Sequence, residues 1–142
     1  MADKFLLSAP ALKSSYITWR RMKQRCLDKN CKSFHRYGGR GIGICDRWMI
    51  FRNFLNDMGK RPKGLSIDRI DNNKGYSKEN CRWATVKEQA RNRRSNTFVT
   101  YNNVSRTLAE WADVADIKYS TLKQRFYVYK WTFGRCLLPP LK

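Results

Sequence analysis

The sequence predicts an α+β fold: a basic helical N-terminal region, a central hairpin followed by a helix, and a helix-turn-helix-like tail. Three features carry that expectation. Apolar residues recur at helical spacing between residues 14 and 26 and again from Trp48 to Met58. Two short strand-like runs, Leu65–Asp71 and Asn80–Ala84, enclose a turn-rich loop around Gly75. Two capping boxes, Thr85-Val-Lys-Glu88 and Thr107-Leu-Ala-Glu110, mark helix starts, because each side chain can satisfy a free backbone N–H at the other's position.

In chain order, Ser14 or Ser15 is expected to cap the first helix, with Tyr16, Trp19, Met22 (or the stem of Lys23) and Cys26 on one face. Arg20, Arg21 and Arg25 fall largely elsewhere, so this helix can pack and present charge together. Tyr37-Gly-Gly-Arg-Gly-Ile-Gly-Ile44 reads as a turn entering a short strand. No Gly-Lys-Ser/Thr follows it, so it is not a nucleotide-binding P-loop. It is either a compact turn or a place where glycine backbone and Arg40 approach a phosphate. Asp46 is expected to cap a helix whose stripe is Trp48, Phe51, Leu55 and Met58, ended by Gly59. After the basic loop Lys60–Gly64 come the hairpin and a helix from Val86 to about Arg94. Ser95-Asn96-Thr97 reads as a short linker. Phe98–Tyr101 and Val104–Thr107 form a second hairpin, since Asn102 and Asn103 tolerate a left-handed turn. Leu108, Trp111, Ala112 and Ala115 mark the buried face of the next helix. After a turn at Asp116–Lys118, Ser120 caps a last helix with Leu122 and Phe126 inward, and Trp131, Phe133 and Leu137 fold back over it. Trp19, Trp48, Trp83 and Trp111 are assigned to cores. The expected divisions are residues 1–64, 65–97 and 98–142.

With 142 residues, 42% of them hydrophobic, the chain can fold but cannot hold two large cores. Thirty Lys and Arg against 11 Asp and Glu give a net charge of +19, which calls for a polyanionic partner, nucleic acid first. The start of the chain lacks the apolar core of a signal peptide, and no apolar run is long enough to span a bilayer. Five cysteines, an odd number, argue against a disulfide framework and for a cytoplasmic protein. Cys26, Cys31, His35 and Cys45 could make a loosely spaced Cys3His zinc site, or the cysteines be buried thiols.

The central segment carries the chemistry. Hydrolysing a phosphodiester needs charge neutralisation on the phosphate, an activated nucleophile and stabilisation of the leaving oxygen. Asp68 is the best-placed carboxylate for a metal, with Asp71 read as a turn residue before Asn72-Asn73. Gln89, or Asn92 one turn further along the helix, is placed to complete the ligand set, and such oxygen donors suit Mg²⁺ or Mn²⁺. Arg82, Arg91, Arg93 and Arg94 lie beside these residues in sequence and are expected on phosphates.

The order Asp68-Arg69, Asn80, Trp83-x-Thr85, Glu88-Gln89 and Asn92 resembles the HNH, or ββα-metal, endonucleases, especially small phage-encoded and homing types, over about residues 65–94. The resemblance implies a ββα-metal core that cuts double-stranded DNA with a divalent metal. Carried over by position, Asp68 is a metal ligand, Asn80 holds the loop by hydrogen bonds, and Gln89 takes the slot of a metal-binding Asn or His. Arg69 stands where the family has its general-base His, and arginine stays protonated at neutral pH. The spacing from Asp68 through Gly75-Tyr76-Ser77 to Asn80 is similar to that of a rare-cutting restriction branch of the superfamily. By that likeness Tyr76 activates the nucleophile and Arg69 clamps the scissile phosphate. The N-terminal basic residues would hold backbone, and Lys118, Tyr119, Ser120, Thr121, Lys123 and Gln124, at the start of the last helix, would contact bases. A monomer would nick and a homodimer would cut both strands. The resemblance also points to a phage protein acting in the host cytoplasm. The alternative is a non-catalytic DNA-binding protein or regulator on a degenerate HNH fold.

Overall fold

The computed structural model describes residues 9–139 and divides between Gln89 and Ala90 into two compact units. The expectation that the chain lacks a leader falls on residues outside those described. The architecture is mixed α+β: among the described residues, six α-helices accompany two antiparallel hairpins. No described helix is long and apolar enough to cross a membrane.

In the first unit, α1 (Pro10–Leu27) begins earlier than the serines suggest. Pro10 occupies its first turn, where a missing N–H costs nothing, and Ala9 caps it without a side-chain bond. Ser14 and Ser15 therefore lie inside the helix. Ser15 is fully buried, and its hydroxyl accepts the backbone N–H of Arg61 at 2.8 Å, tying together positions 46 residues apart. Met22 and Cys26 are buried in a core with Ile42, Trp48, Phe54, Tyr76 and Cys81. Between α1 and the next helix the glycine-rich segment forms two short 3₁₀ turns, Phe34–Arg36 and Gly38–Arg40. It then contributes a single parallel bridge, Ile44 to Tyr76, where a strand was expected.

Asp46 opens a 3₁₀ turn and does not cap a helix; α2 (Phe51–Met58) starts after Ile50 and stops at Gly59, whose φ is 68°. Its inward residue is Phe54, stacked edge-on against Trp48 at 5.0 Å, and Leu55 is only half-buried. Asp57 accepts Trp48 Nε1 at 2.8 Å and Arg47 Nε at 2.9 Å, and these bonds hold its carboxyl below the usual carboxylate range. The strands β1 (Ser66–Arg69) and β2 (Cys81–Ala84) pair antiparallel in the register Ser66–Ala84, Ile67–Trp83, Asp68–Arg82 and Arg69–Cys81. Trp83 packs on Phe54 and donates to the Met58 carbonyl at 2.6 Å. The described residues before 65 and the hairpin thus share one core, and no packing boundary lies at residue 64.

The helix after the hairpin, α3 (Val86–Arg91), has its capping box in place: Thr85 N–H and hydroxyl donate to Glu88 at 2.7 and 2.8 Å, and Glu88 N–H returns to Thr85 Oγ1. It stops at Arg91 instead of Arg94, and the division between units falls within it instead of at residue 97.

In the second unit, β3 (Phe98–Tyr101) and β4 (Val104–Thr107) form a hairpin whose turn places Asn102 and Asn103 at φ 49° and 61°. The Thr107–Glu110 capping box opens α4 (Leu108–Val114). A turn with Asp116 at φ 51° leads to α5 (Tyr119–Tyr127), which is preceded by Lys118 with no side-chain cap, so Ser120 lies inside the helix. The short α6 (Phe133–Cys136) closes a core of Leu108, Trp111, Ala112, Leu122 and Cys136, with Trp131, Phe133 and Leu137 packed against it.

Gly38 shows why the glycine segment is a compact turn. A Cβ there would collide with the Cys26 carbonyl oxygen and the Phe34 ring, whereas a Cβ at Gly43 meets nothing within 4 Å. Gly38→Ala is therefore expected to lower stability by about 1–3 kcal/mol, and Gly43→Ala to stay within about 0.5 kcal/mol of wild type. Urea midpoints of the two variants check this.

Candidate functional site

Side chains alternate along a strand, so Ser66 and Asp68 leave one face of β1 while Ile67 and Arg69 leave the other. On the first face, Arg82 reaches across from β2 and donates through Nε and a terminal nitrogen to Asp68 Oδ2, both at 3.3 Å. Asp68's side chain is 11% exposed and Arg82's 43%. Gln89 comes to the same face from α3: its amide nitrogen donates to the Ser66 hydroxyl and to the Ser66 and Ala84 carbonyls, the latter two at 3.3 Å. Those carbonyls can accept only from nitrogen, which fixes the amide's orientation. Asp68 and Gln89 thus flank Ser66.

The opposite face belongs to the core. Arg69 is 6% exposed, and one guanidinium nitrogen donates to the carbonyls of Asn72 at 3.0 Å and Lys74 at 2.7 Å. Its cation lies 5.2 Å from the ring centroids of both Tyr37 and Tyr76. Tyr76 is 3% exposed and pinned by its backbone, which donates to the Gly43 carbonyl and accepts from Cys45 N–H, each at 2.9 Å. Burial pushes its hydroxyl far above the ordinary value of 10.0, with Arg25 and Arg69 only partly opposing. Both residues, to which the resemblance gave catalytic parts, are thus packed inside the first unit. Arg69 is spent on loop carbonyls instead of a phosphate, and Tyr76 is a protonated core residue on the other side of the hairpin from Asp68.

Asn80 straps the same loop. Its side-chain oxygen accepts Asp71 N–H at 2.8 Å, and its amide donates to the carbonyls of Asp71 at 3.1 Å and Gly75 at 2.9 Å. Asp71 accepts Asn73 N–H at 2.9 Å, the turn chemistry that its Asn-Asn sequel predicts. Arg40 is exposed and donates to Asn73 Oδ1 at 3.1 Å.

Asn92 follows the end of α3 and belongs to the second unit, together with Arg91, Arg93 and Arg94. Arg91 is ion-paired with Asp113, and Arg93 and Arg94 are exposed beyond the helix. On α5, Tyr119, Ser120, Lys123 and Gln124 are exposed with the preceding Lys118, while Thr121 is half-buried and Leu122 and Arg125 face inward.

For a divalent cation, Asp68 offers a carboxylate and Ser66 a hydroxyl, and Gln89 bears an amide oxygen beside the nitrogen bonded to Ser66. An all-oxygen set with a single charge fits Mg²⁺ or Mn²⁺, which keep several waters and need few protein ligands. No group of three or more His, Cys, Asp or Glu side chains converges among the described residues.

One feature was visible in the sequence only as general basicity. A cleft of about 400 Å³ lies between the α1 face bearing Thr18, Arg21 and Arg25 and the start of β1, with Arg61, Ser66 and Gln89 in its lining. The i, i+4 spacing of Arg21 and Arg25 places them together; Arg61 joins them only through the tertiary fold.

No family model, curated protein or solved structure matches the chain significantly.

Arg69→Met is expected to cost about 2–4 kcal/mol, because it removes a buried guanidinium that donates to two loop carbonyls, whereas Tyr76→Phe should stay within about 1 kcal/mol of wild type; chemical unfolding distinguishes them. Alkaline stability gives a second test. Burial pushes the Cys81 thiol from 9.0 up to about 12, so the folded state keeps a proton that the unfolded chain releases near pH 9. Its contribution is complete below pH 9 and fades as pH rises toward 12; Tyr76 acts in the same direction from about pH 10. Urea midpoints should fall above pH 9, with a shallower initial decline in Cys81→Ala.

Proposed function

We propose that this chain is a metal-dependent DNA endonuclease of HNH type, with β1, β2 and α3 as its ββα-metal unit. The observation that supports the reading is the shared hairpin face of Asp68, Ser66 and Gln89, flanked by the exposed Arg82. Asp68 supplies the charged ligand and the Gln89 amide oxygen a neutral one. When bound there, Mg²⁺ or Mn²⁺ neutralises phosphate charge and lowers the pKa of attacking water. Arg82, already partly in solvent, exchanges its carboxylate partner for a phosphate oxygen. Asn80, Arg69 and Tyr76 act as positioning residues that hold the hairpin in register. The exposed side of α5, through Lys118, Tyr119, Ser120, Lys123 and Gln124, reads base edges in the manner of a recognition helix. Arg40, Arg93 and Arg94 contribute phosphate contacts that do not depend on sequence.

A second reading, a DNA-binding protein that does not cut, is favoured by a specific observation. The Asp68 carboxylate carries an ion pair with Arg82, and the sole histidine, His35, is exposed on a 3₁₀ turn after α1, outside the hairpin.

Supercoiled plasmid DNA with Mg²⁺ or Mn²⁺ separates the two. The nuclease reading expects nicked product from the wild type, a loss of at least about 100-fold in Asp68→Ala, and unchanged cutting by Tyr76→Phe. Retarded DNA with no strand break under either metal establishes the binder. Binding should weaken steeply with added salt under both readings, and a salt-independent affinity would remove DNA as the partner.

A further inference from the structure

The arginine cleft of the first unit has no role in the assignments above. Its lining contains Arg21, Arg25 and Arg61 and no aspartate or glutamate. None of the four ion pairs found among the described residues involves these arginines. Arg25 is oriented from within: it donates to Tyr37 Oη at 3.3 Å and rests 4.7 Å above that ring, so its charge sits at a fixed place in the cleft wall. Arg61 is held likewise, its Nε bonded to the Leu65 carbonyl at 2.6 Å and its backbone N–H to Ser15. A pocket with three cations, two of them anchored, and the Ser66 hydroxyl suits an oxyanion. Ser66, Ile67 and Gln89 also line it, and Ser66 is two strand residues, roughly 7 Å, from Asp68 on the same face.

We propose that this cleft binds the phosphodiester backbone of one strand of duplex DNA, seating a phosphate next to the one presented to Asp68. The inference rests on DNA being the partner, but not on cleavage. It makes Arg21, Arg25 and Arg61 substrate-positioning residues, with the strand running from the α1 face toward the hairpin.

Cys31 gives a direct readout, because it lines the cleft and is partly exposed, whereas Cys45 is partly exposed outside it and Cys26, Cys81 and Cys136 are buried. The full chain is treated with N-ethylmaleimide, with and without saturating duplex DNA in EDTA, and modification is followed by peptide mass spectrometry. The expected result is slower alkylation of Cys31 with the Cys45 rate unchanged. Arg21→Glu, an exposed position on α1, should lower affinity roughly ten-fold at low salt and reduce the salt slope by about 1. Gln24→Glu, also exposed and in the lining, should weaken binding in the same direction; circular dichroism checks that both variants are folded. Equal Cys31 rates in free and DNA-bound protein, or wild-type affinity in both folded variants, overturns the proposal. So does protection by duplex RNA without protection by DNA. Failure here is distinct from failure of the nuclease reading. Protection without any strand cutting under Mg²⁺ leaves the cleft assignment standing and removes catalysis; cutting with Cys31 unprotected removes the cleft alone.

Discussion

A buried guanidinium holds the first unit's hairpin together. The loop from Ile70 to Asn80 contains no strand of its own, and the carbonyls of Asn72 and Lys74 point to the Arg69 guanidinium. Arg69 donates to both, and its flat faces lie against two tyrosine rings that shield the charge. Asn80 bonds the same loop at Asp71 and Gly75. At Gly75 the backbone of Gly43 passes so close that a Cβ would sit 2.7 Å from its carbonyl oxygen. These restraints fix the pairing of β1 with β2. A slip of one residue would carry Asp68 into the core and Arg69 out of it. The second unit uses the same device: Arg125 is 8% exposed and donates to the Cys136 carbonyl at 3.0 Å, beneath the Trp131 ring. In each case an arginine replaces secondary structure as the partner of backbone carbonyls.

What was legible in the sequence was what is local. Both Thr-x-x-Glu boxes and the Asn102-Asn103 turn depend on residues no more than three positions apart, and the sequence carries their whole mechanism. The start of α1 was missed because the serines that look like caps serve a distant partner: Ser15 bonds Arg61. The choice of Leu55 over Phe54 as the inward residue of α2 came from reading one continuous helical stripe across Trp48 and Phe51. The chain there breaks into a 3₁₀ turn, an extended Ile50 and a helix, and each break rotates the face that follows. The candidate site was legible as a segment but not as a surface. Asn80 bonds the loop as its position suggests and Asp68 and Gln89 both neighbour Ser66, while Arg69 and Tyr76, polar residues in a motif, are buried. Nothing in the sequence marks an arginine as internal, because the carbonyls that require it come from a loop without a pattern.

The tetrapeptide Ser66-Ile67-Asp68-Arg69 therefore separates two tasks by alternation. One face, with Ser66, Asp68 and Arg82, is polar and open at its edge. The other, with Ile67, Arg69 and Trp83, is packed. Adjacent residues of a strand cannot meet at one atom, so a carboxylate and its neighbouring arginine cannot both face the same phosphate from this β1. That geometric limit, more than the protonation state of arginine, moves Arg69 from chemistry to support. Under the proposed function, positive charge for the phosphate comes from Arg82 across the hairpin or from the cleft beside Ser66.

The net charge of +19 belongs to the unfolded chain as much as to the folded one. Thirty cations on a disordered polymer also attract DNA, so bulk basicity by itself cannot make a polyanion favour the native state; ligand stabilises only through the difference in its affinity for the two. Folding creates that difference where it removes freedom from individual cations. Arg25 is leaned on Tyr37, Arg61 is tied to Leu65 and Ser15, and both border a cleft whose lining has no carboxylate to compete. A phosphate entering there meets donors whose ordering entropy was lost during folding, whereas on the unfolded chain each contact would incur that loss anew. Under the proposed function, organised charge rather than total charge would couple this fold to DNA.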